Sequence, residues 1–355
     1  MIKKEKKLFL ALFLILLISI SSCTSGKNTK KSVEEIRVGS EGIAINFLTN
    51  APPDTIHVEQ GKTNQFDIII EIKNKGAYPQ PDEGISGSAP KFGKVYLSGF
   101  DGKIIDLKSK DNNNGDLSIK SLQGRSTINP DGGQDLLSFT GSIDYINLNV
   151  EKYEPVLLAT ACYGYMTVAG PAVCIDPNPY STIKEKKVCE VQNIVLSNQG
   201  APVAVTRIDE EAFATKTRFK ITVKNVGTGD VMKEDAASNK CDPRGEARIA
   251  REDIDKVKLE SAKIAGRELQ CQPFVDGQVI GQSGLIRLTN NGEGFAICEL
   301  PSSDYSNKVS AYTTPLLIQL SYGYRNTIEK KIMIKREASG SAQSQDKPAG
   351  MQEIS

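Results

Sequence analysis

The feature that most constrains the fold of this chain is a series of short β-rich segments that occurs twice, about 150 to 160 residues apart. Residues 72–76 (IKNKG) return as residues 223–227 (VKNVG), and Tyr-Gly-Tyr at 163–165 returns at 322–324. Matches that keep the same order at a similar offset are typical of an internal duplication. The sequence therefore predicts two homologous units in tandem.

Within each unit, runs of β-branched and aromatic residues alternate with turn signals. Residues 66–73 (FDIIIEIK) partly alternate apolar with polar side chains and stop at Asn74-Lys75-Gly76, which is typical of a turn. Short strands with regular turns and almost no helical period favour antiparallel sandwiches. We predict an all-β chain of two tandem immunoglobulin-like β-sandwiches, at residues 41–183 and 188–336.

The N-terminus has the organisation of a lipoprotein signal. Four lysines (Lys3, Lys4, Lys6, Lys7) precede an apolar stretch at residues 8–20, and Ile20-Ser21-Ser22-Cys23 fits a lipobox. We predict that residues 1–22 are removed and that Cys23 carries a lipid, which places the protein on the outer face of the cytoplasmic membrane. An uncleaved N-terminal anchor is the alternative.

Both ends of the mature chain are expected to lack fixed structure. Residues 23–40 are polar and have no strong period, so we predict a flexible tether. Residues 337–355 are low in apolar content, so we predict a disordered tail.

Composition excludes some classes of partner. Of the 355 residues, 39% are hydrophobic and 25% charged, which is typical of a folded protein. The formal charge is +1, and removal of the basic signal leaves about −2. No nucleic-acid-binding field follows from this charge, and the membrane contact is expected to be the lipid on Cys23.

Six cysteines remain once Cys23 is assigned to the lipid, and we predict that they form disulfides: Cys162, Cys174, Cys189, Cys241, Cys271 and Cys298. Fifteen pairings are possible. We favour Cys162 with Cys174 and Cys271 with Cys298, each pair as neighbours across antiparallel strands, which leaves Cys189 with Cys241. A zinc site is disfavoured because there is no CxxC pair and His57 is the only histidine.

The second unit contains a polar segment at residues 231–256 without an equally long counterpart in the first. Residues 244–255 carry alanines and charges at spacings that permit a short surface helix. Insertions on a sandwich often carry binding specificity, so this segment is our candidate contact for a protein partner. The alternative is a longer loop stapled by a disulfide.

Signals for catalysis are missing. His57 would have to serve any Ser-His-Asp or Cys-His device, and it lies in an apolar early strand with no Gly-x-Ser-x-Gly motif in the chain. Phosphate-loop motifs are absent, and the acid and amide cluster at residues 111–116 is more typical of a turn than of a calcium site. The repeated tyrosines favour core packing over a ligand platform. We therefore expect no enzyme, no cofactor and no metal.

Four segments carry a resemblance to a known group: residues 42–54, 158–163, 173–177 and 200–206. They are similar to uncharacterised archaeal surface lipoproteins, and the VKNVG strand end resembles CARDB-like immunoglobulin-like modules of prokaryotic surface proteins. The resemblance covers nearly the whole mature chain. It implies a cell-surface, sandwich-built lipoprotein and supplies no catalytic residues.

These observations support three hypotheses about function. The first is a non-enzymatic cell-surface lipoprotein with an adhesion, envelope-organising or scaffolding role. The second is a ligand-binding or accessory subunit of a membrane transport or secretion complex, with residues 231–256 as the contact. The remote third is an envelope hydrolase that acts through two carboxylates placed by the fold.

Overall fold

The structure is a computed structural model, and it describes residues 36–337 except 63, 80–86, 110–115, 182–186, 273–283, 306 and 309. In these ranges the chain is almost entirely β and its sheets are antiparallel apart from one parallel strand pair, so the predicted all-β fold is confirmed. No helix in the described ranges has the length and apolar character needed to cross a membrane.

The first half forms a four-stranded outer sheet. Its strands are β1 (Ile43–Phe47), β3 (Asn64–Asn74), β5 (Ile105–Ser109) and β7 (Gln134–Ile143), in the order β1-β3-β7-β5. In β3, Phe66, Ile68, Ile70 and Ile72 are buried and the residues between them face outward. This alternation is expected for a strand with one face on the core.

The second half repeats this sheet with an added edge strand. Its strands are β11 (Ile194–Val195), β12 (Val203–Ala212), β13 (Lys216–Asn225), β17 (Gln270–Gln272) and β19 (Glu293–Pro301), in the order β11-β12-β13-β19-β17. The path β12-β13-β19-β17 follows the same order as β1-β3-β7-β5. The two halves therefore share one topology in their outer sheets.

A nine-stranded sheet joins the two halves. Its strands are β4 (Gly93–Ser98), β6 (Asp116–Ser118), β9 (Val156–Ala169), β10 (Ala172–Ile175), β14 (Asp230–Met232), β15 (Lys256–Ile264), β16 (Arg267–Glu268), β18 (Gly284–Arg287) and β20 (Tyr312–Lys331). The central strands β9 and β20 pair antiparallel over 14 residue pairs. The halves are thus parts of one continuous sheet, and the division at residues 183 and 188 stays a prediction.

Each half ends in a short strand that pairs within the other half. β10 follows β9 and pairs with the start of β20, where Ala172 is opposite Pro315. The last strand, β21 (Met333–Arg336), pairs in parallel with β2 (Thr55–Val58) and antiparallel with β8 (Lys152–Tyr153). This reciprocal exchange adds to the pairing at the centre. Most of the buried apolar residues of both halves form one contiguous core, and two small clusters lie around Cys241 and Ala237.

Residues 36–40 belong to the packed body. Ile36 is buried, and Arg125 donates a hydrogen bond from Nη2 to the carbonyl oxygen of Val38. The tether that the sequence predicted through residue 40 therefore does not include residues 36–40, because these residues have an apolar anchor and a backbone partner.

The described helical segments are short. An α-helix, α1, spans Glu234–Asn239, and a 3-10 turn spans Ser302–Asp304. The helix predicted at residues 244–255 is wrong. Aspartate side chains in this segment accept backbone N–H groups, from Arg244 to Asp242 at 2.9 Å and from Ala250 to Asp253 at 3.0 Å. Such bonds compete with the helical ladder and favour turns.

Candidate functional sites: the centre of the shared sheet and the 231–256 segment

The two Tyr-Gly-Tyr motifs meet at the centre of the β9–β20 pair. Tyr165 is opposite Tyr322, Gly164 is opposite Gly323, and Tyr163 is opposite Tyr324. The four tyrosines lie on one face of the sheet, are at most 1% exposed, and have ring centroids 5.8 to 6.5 Å apart. Tilted and edge-on contacts at these distances are favourable between aromatic rings.

In each half, the asparagine at the end of an outer-sheet strand forms a hydrogen bond with the hydroxyl group of one tyrosine. The Tyr165 hydroxyl donates to Asn74 Oδ1 at 2.9 Å, and the same oxygen accepts the Gly76 N–H at 3.1 Å. In the second half, the Tyr324 hydroxyl makes the equivalent hydrogen bond to Asn225 Oδ1 at 3.4 Å. A Cβ on Gly76 would lie 2.1 Å from the Tyr165 hydroxyl, so glycine is required for this close approach.

The hydroxyl groups of the other two tyrosines make hydrogen bonds that involve both halves. The Tyr163 hydroxyl accepts the Ile43 N–H at 3.2 Å, and Asn326 of the second half lies 3.4 Å from it through Nδ2. The Tyr322 hydroxyl is 2.9 Å from Thr167 Oγ1 of the first half. The halves are therefore joined by buried polar contacts as well as by the ladder.

Burial sets the ionisation of these phenols. It raises the pKa of Tyr163, Tyr165 and Tyr322 well above the usual value, and it raises the pKa of Tyr324 to about 12 despite a backbone hydrogen bond from Gly229. All four hydroxyls stay protonated at physiological pH. Because they are buried and internally bonded, they pack the core as the sequence predicted and do not form a ligand platform.

The opposite face of the same strand pair is covered by the 231–256 segment and by Phe92. A Cβ on Gly323 would lie 2.5 Å from Ala237 Cβ, and a Cβ on Gly164 would lie 2.5 Å from the Phe92 ring. Glycine at these two positions lets α1 and the aromatic ring approach the sheet backbone. The segment is thus packed against the middle of the molecule.

A disulfide between Cys162 of β9 and Cys241 attaches the segment to the first half. The other pairs are Cys174 with Cys189 and Cys271 with Cys298. The predicted Cys271–Cys298 pair is confirmed, since Cys271 of β17 is opposite Cys298 of β19.

The predicted pairs Cys162–Cys174 and Cys189–Cys241 are wrong. They assumed a hairpin between two close cysteines, but β9 continues to Ala169 and β10 then pairs with β20 instead of folding back on β9. Cys162 is consequently left facing the 231–256 segment. The general alternative of a loop stapled by a disulfide is correct, with Cys162 as the partner.

An ion pair holds the far side of the segment. Asp253 is 3% exposed, accepts Lys240 Nζ at 2.8 Å and also accepts the Ala250 N–H. The hydrogen bond from Lys240 is the main reason that the pKa of Asp253 is lowered. A second ion pair, Lys91 to Glu234 at 2.7 Å, fixes the start of α1.

A cleft of about 780 Å³ opens where the segment meets the end of β18 and the turn before β19. Its lining residues are Arg251, Ile254, Asp255, Arg287, Leu288, Thr289, Asn290 and Asn291. The sequence pointed to the 231–256 side of this cleft. The sequence did not predict that residues 287–291 form the other side, because nothing in their spacing places them against the segment.

The molecule also has a buried carboxyl without a full set of partners. Glu210 of β12 is 5% exposed, and its Oε2 accepts the Cys174 N–H at 3.3 Å, whereas Oε1 has no hydrogen-bond partner in the described residues. Burial raises the pKa of Glu210 to about 7 against the effect of that hydrogen bond.

Two acids approach one hydroxyl on the outer face of the central sheet. Glu260 accepts the Ser321 hydroxyl at 2.6 Å, and Glu234 lies 3.5 Å from it. Burial acts to raise the pKa of Glu260, but hydrogen bonds from Lys258 and Ser321 outweigh it and leave the pKa lowered. A general acid for glycoside cleavage needs a raised pKa, so Glu260 lacks that property.

His57 is exposed on β2 and contacts the Glu337 carboxylate. Cys23 and residues 111–115 lie outside the described residues, and Asp116 forms an ion pair with Lys94 at 3.1 Å. Within the described ranges, no group of three or more His, Cys, Asp or Glu residues is placed to hold a metal ion.

No protein-family model and no curated protein matches this chain. Among solved structures, the C-terminal domain of the Streptococcus pyogenes antigen I/II-family protein AspA aligns with 84% of this chain and 100% of its own length. The sequence identity is 9% and the TM-score is 0.14. An alignment with that TM-score carries no argument about fold or function.

Proposed function

We propose that this protein is a non-enzymatic, lipid-anchored scaffold on the outer face of the cytoplasmic membrane, in which two duplicated immunoglobulin-like units act as one rigid body. The observation that carries the proposal is the shared sheet, in which Tyr163 and Tyr165 of one half pack on Tyr322 and Tyr324 of the other. A body without a hinge between its halves holds its surfaces at fixed separations, which is what a scaffold requires.

The position of the N-terminal segment supports anchoring close to the membrane. Ile36 is buried in the body, so the tether that the sequence predicts would be limited to residues 24–35 between the body and a lipid on Cys23. A random coil of this length spans about 20 Å. The body would therefore be held within a short distance of the lipid headgroups.

The three disulfides support an exported location. Structural disulfides form and persist in oxidising compartments and are rare in the reducing cytosol. One of them, Cys162–Cys241, crosses between the halves, so its oxidation also contributes to the rigidity that the scaffold proposal needs.

The decisive experiment is the intact mass of the detergent-extracted protein, measured after alkylation with and without reductant. We expect a chain that starts at Cys23 with a two-chain lipid, because one chain gives only marginal membrane binding. Six thiols should become alkylatable only after reduction. A C23S variant is the control and should lose the lipid mass and the membrane fraction. A wild-type mass that starts at Met1 would contradict the proposal.

The second candidate function is a ligand-binding or accessory subunit of a membrane complex. The cleft beside the 231–256 segment is the specific observation that favours it. A scaffold and a ligand-binding subunit differ in one measurable respect, which is saturable binding at this cleft.

A further inference from the structure

The cleft beside the 231–256 segment contains two arginine side chains that the fold does not use. Arg251 and Arg287 both line it, and neither makes an ion pair or side-chain hydrogen bond in the part of the chain that the structure describes. Several other arginines form ion pairs with carboxylates, as Arg207 does with Asp209 and Arg325 does with Asp230 at 2.7 Å. A guanidinium in a cleft with no carboxylate partner is available for an anion, and its planar fork matches a carboxylate.

The remaining polar groups of the cleft suit hydroxyl groups. Asp255 supplies carboxylate oxygens, and Asn290 supplies an amide group that both donates and accepts hydrogen bonds. Asn291 offers its amide N–H groups, because its Oδ1 already accepts the Thr289 hydroxyl and the Glu293 N–H. Ile254 and Leu288 are the apolar residues of the lining. This composition favours a ligand that carries both a charge and several hydroxyls over a lipid chain or an apolar peptide.

The walls of the cleft are fixed by backbone hydrogen bonds. Asp255 has a φ of 57° and donates its backbone N–H to the Val231 carbonyl at 2.8 Å. Its backbone carbonyl oxygen accepts the Leu288 N–H at 2.9 Å. On the opposite wall, the Thr289 N–H donates to the Glu293 carbonyl at 2.9 Å. A preformed site binds without the cost of ordering its own loops.

The size and charge of the cleft further restrict the class of ligand that it can bind. A volume of about 780 Å³ lies in the range of small-molecule sites and is sufficient for two or three sugar units. The Asp255 carboxylate opposes a multiply charged phosphate more strongly than a singly charged carboxylate. We propose that this cleft binds an acidic saccharide, with its carboxylate on Arg251 and Arg287 and its hydroxyls on Asp255, Asn290 and Asn291.

The test is a calorimetric or NMR titration of the full chain with a galacturonic acid trimer, with the neutral galactose trimer as the matched ligand. We expect saturable binding of the acidic trimer that weakens as salt is raised, and at least tenfold weaker binding of the neutral one. The pair of ligands tests the proposal on the wild-type protein, so the result does not depend on the folding of any variant.

Variants then locate the site. R251Q/R287Q should weaken binding of the acidic trimer by tenfold or more, whereas R207Q, which removes an exposed arginine paired with Asp209, should leave it unchanged. Equal affinity for both trimers, equal losses in both variants, or competition by inorganic phosphate as effective as by the trimer would each overturn the proposal. Binding does not involve Cys23, so failure here is distinguishable from failure of the anchored-scaffold proposal.

Discussion

Gly164 and Gly323 are cross-strand partners at the middle of the β9–β20 pair, and each lies beneath a different covering group. The Phe92 ring covers Gly164, and Ala237 of α1 covers Gly323. Two motifs that are 159 residues apart in the chain thus form one continuous surface, on which the tyrosines take one face and the covering groups take the other.

Alanine at these two glycines should therefore destabilise the protein to different extents. In G323A the new methyl meets Ala237 Cβ and the Lys233 carbonyl oxygen at 2.7 Å, so the helix backbone must move. In G164A it meets a phenylalanine ring, which can rotate. We expect losses of about 1 to 3 kcal/mol in the free energy of unfolding, with G323A the larger.

Urea denaturation measures both losses. G170A is the matched control, because a Cβ at Gly170 would have no heavy atom within 4 Å. If G323A were as stable as G170A, the close packing of α1 on the sheet would be refuted.

The tyrosine hydroxyls should contribute to stability in both halves. Y165F removes the donor to Asn74, and Y324F removes both a donor to Asn225 and the acceptor for the Gly229 N–H at 2.8 Å. Each loss should cost about 1 to 2 kcal/mol. Chemical denaturation should show no comparable loss for Y180F, because Tyr180 is 68% exposed. Equal stabilities of all three variants would contradict this prediction.

The Cys162–Cys241 disulfide should protect the 231–256 segment from proteases. It closes a separation of 79 residues, and its removal in C162A/C241A should cost about 2 to 4 kcal/mol. Limited trypsin digestion should then cleave the variant first after Arg244 or Arg248. The control C271A/C298A removes a disulfide within the second half and should leave these sites resistant. Early cleavage at other sites alone would show that the disulfide does not fix the segment.

Glu210 should make stability fall as pH rises through neutrality. Its carboxyl titrates near 4.5 in the unfolded chain and at about 7 in the folded protein, so the folded state holds the proton between these values. The stabilisation present below about pH 4.5 is lost as the pH rises through about 7. E210Q should therefore show no gain at pH 4 and a gain of about 2 kcal/mol over wild type at pH 8.

Denaturation midpoints from pH 4 to 8 measure this difference. The neighbouring variant E211Q is the control, since Glu211 is exposed, and it should not reproduce the gain. A wild-type curve and an E210Q curve that stay parallel over this range would disprove the burial of an ionisable carboxyl.

The sequence was sufficient for local structure because local structure depends on neighbouring residues. The alternation in residues 66–73 and the Asn74-Lys75-Gly76 turn predicted β3 and its end. The repeat of Tyr-Gly-Tyr predicted a packing role that burial at Tyr163 and Tyr322 confirms.

The sequence was insufficient to predict which strands pair when one strand could pair with either of two others. The apolar pattern of β9 is the same whether its edge pairs with β10 or with β20, so the joining of the halves had no local signal. The two wrong disulfides follow from this choice. The sequence singled out residues 231–256, which include Arg251, because of their unusual composition. It did not predict the cleft, because Arg287 lies in an ordinary strand with no signal that places it beside Arg251.

The pairing of β21 with β2 determines when folding can be completed during synthesis. During synthesis β2 emerges early, and its parallel partner is among the last residues of the described fold. The edge of β2 therefore remains unpaired until residues 333–336 have been made. A fragment that ends between the two halves would lack this closing strand. Completion of the first half is therefore coupled to synthesis of the second.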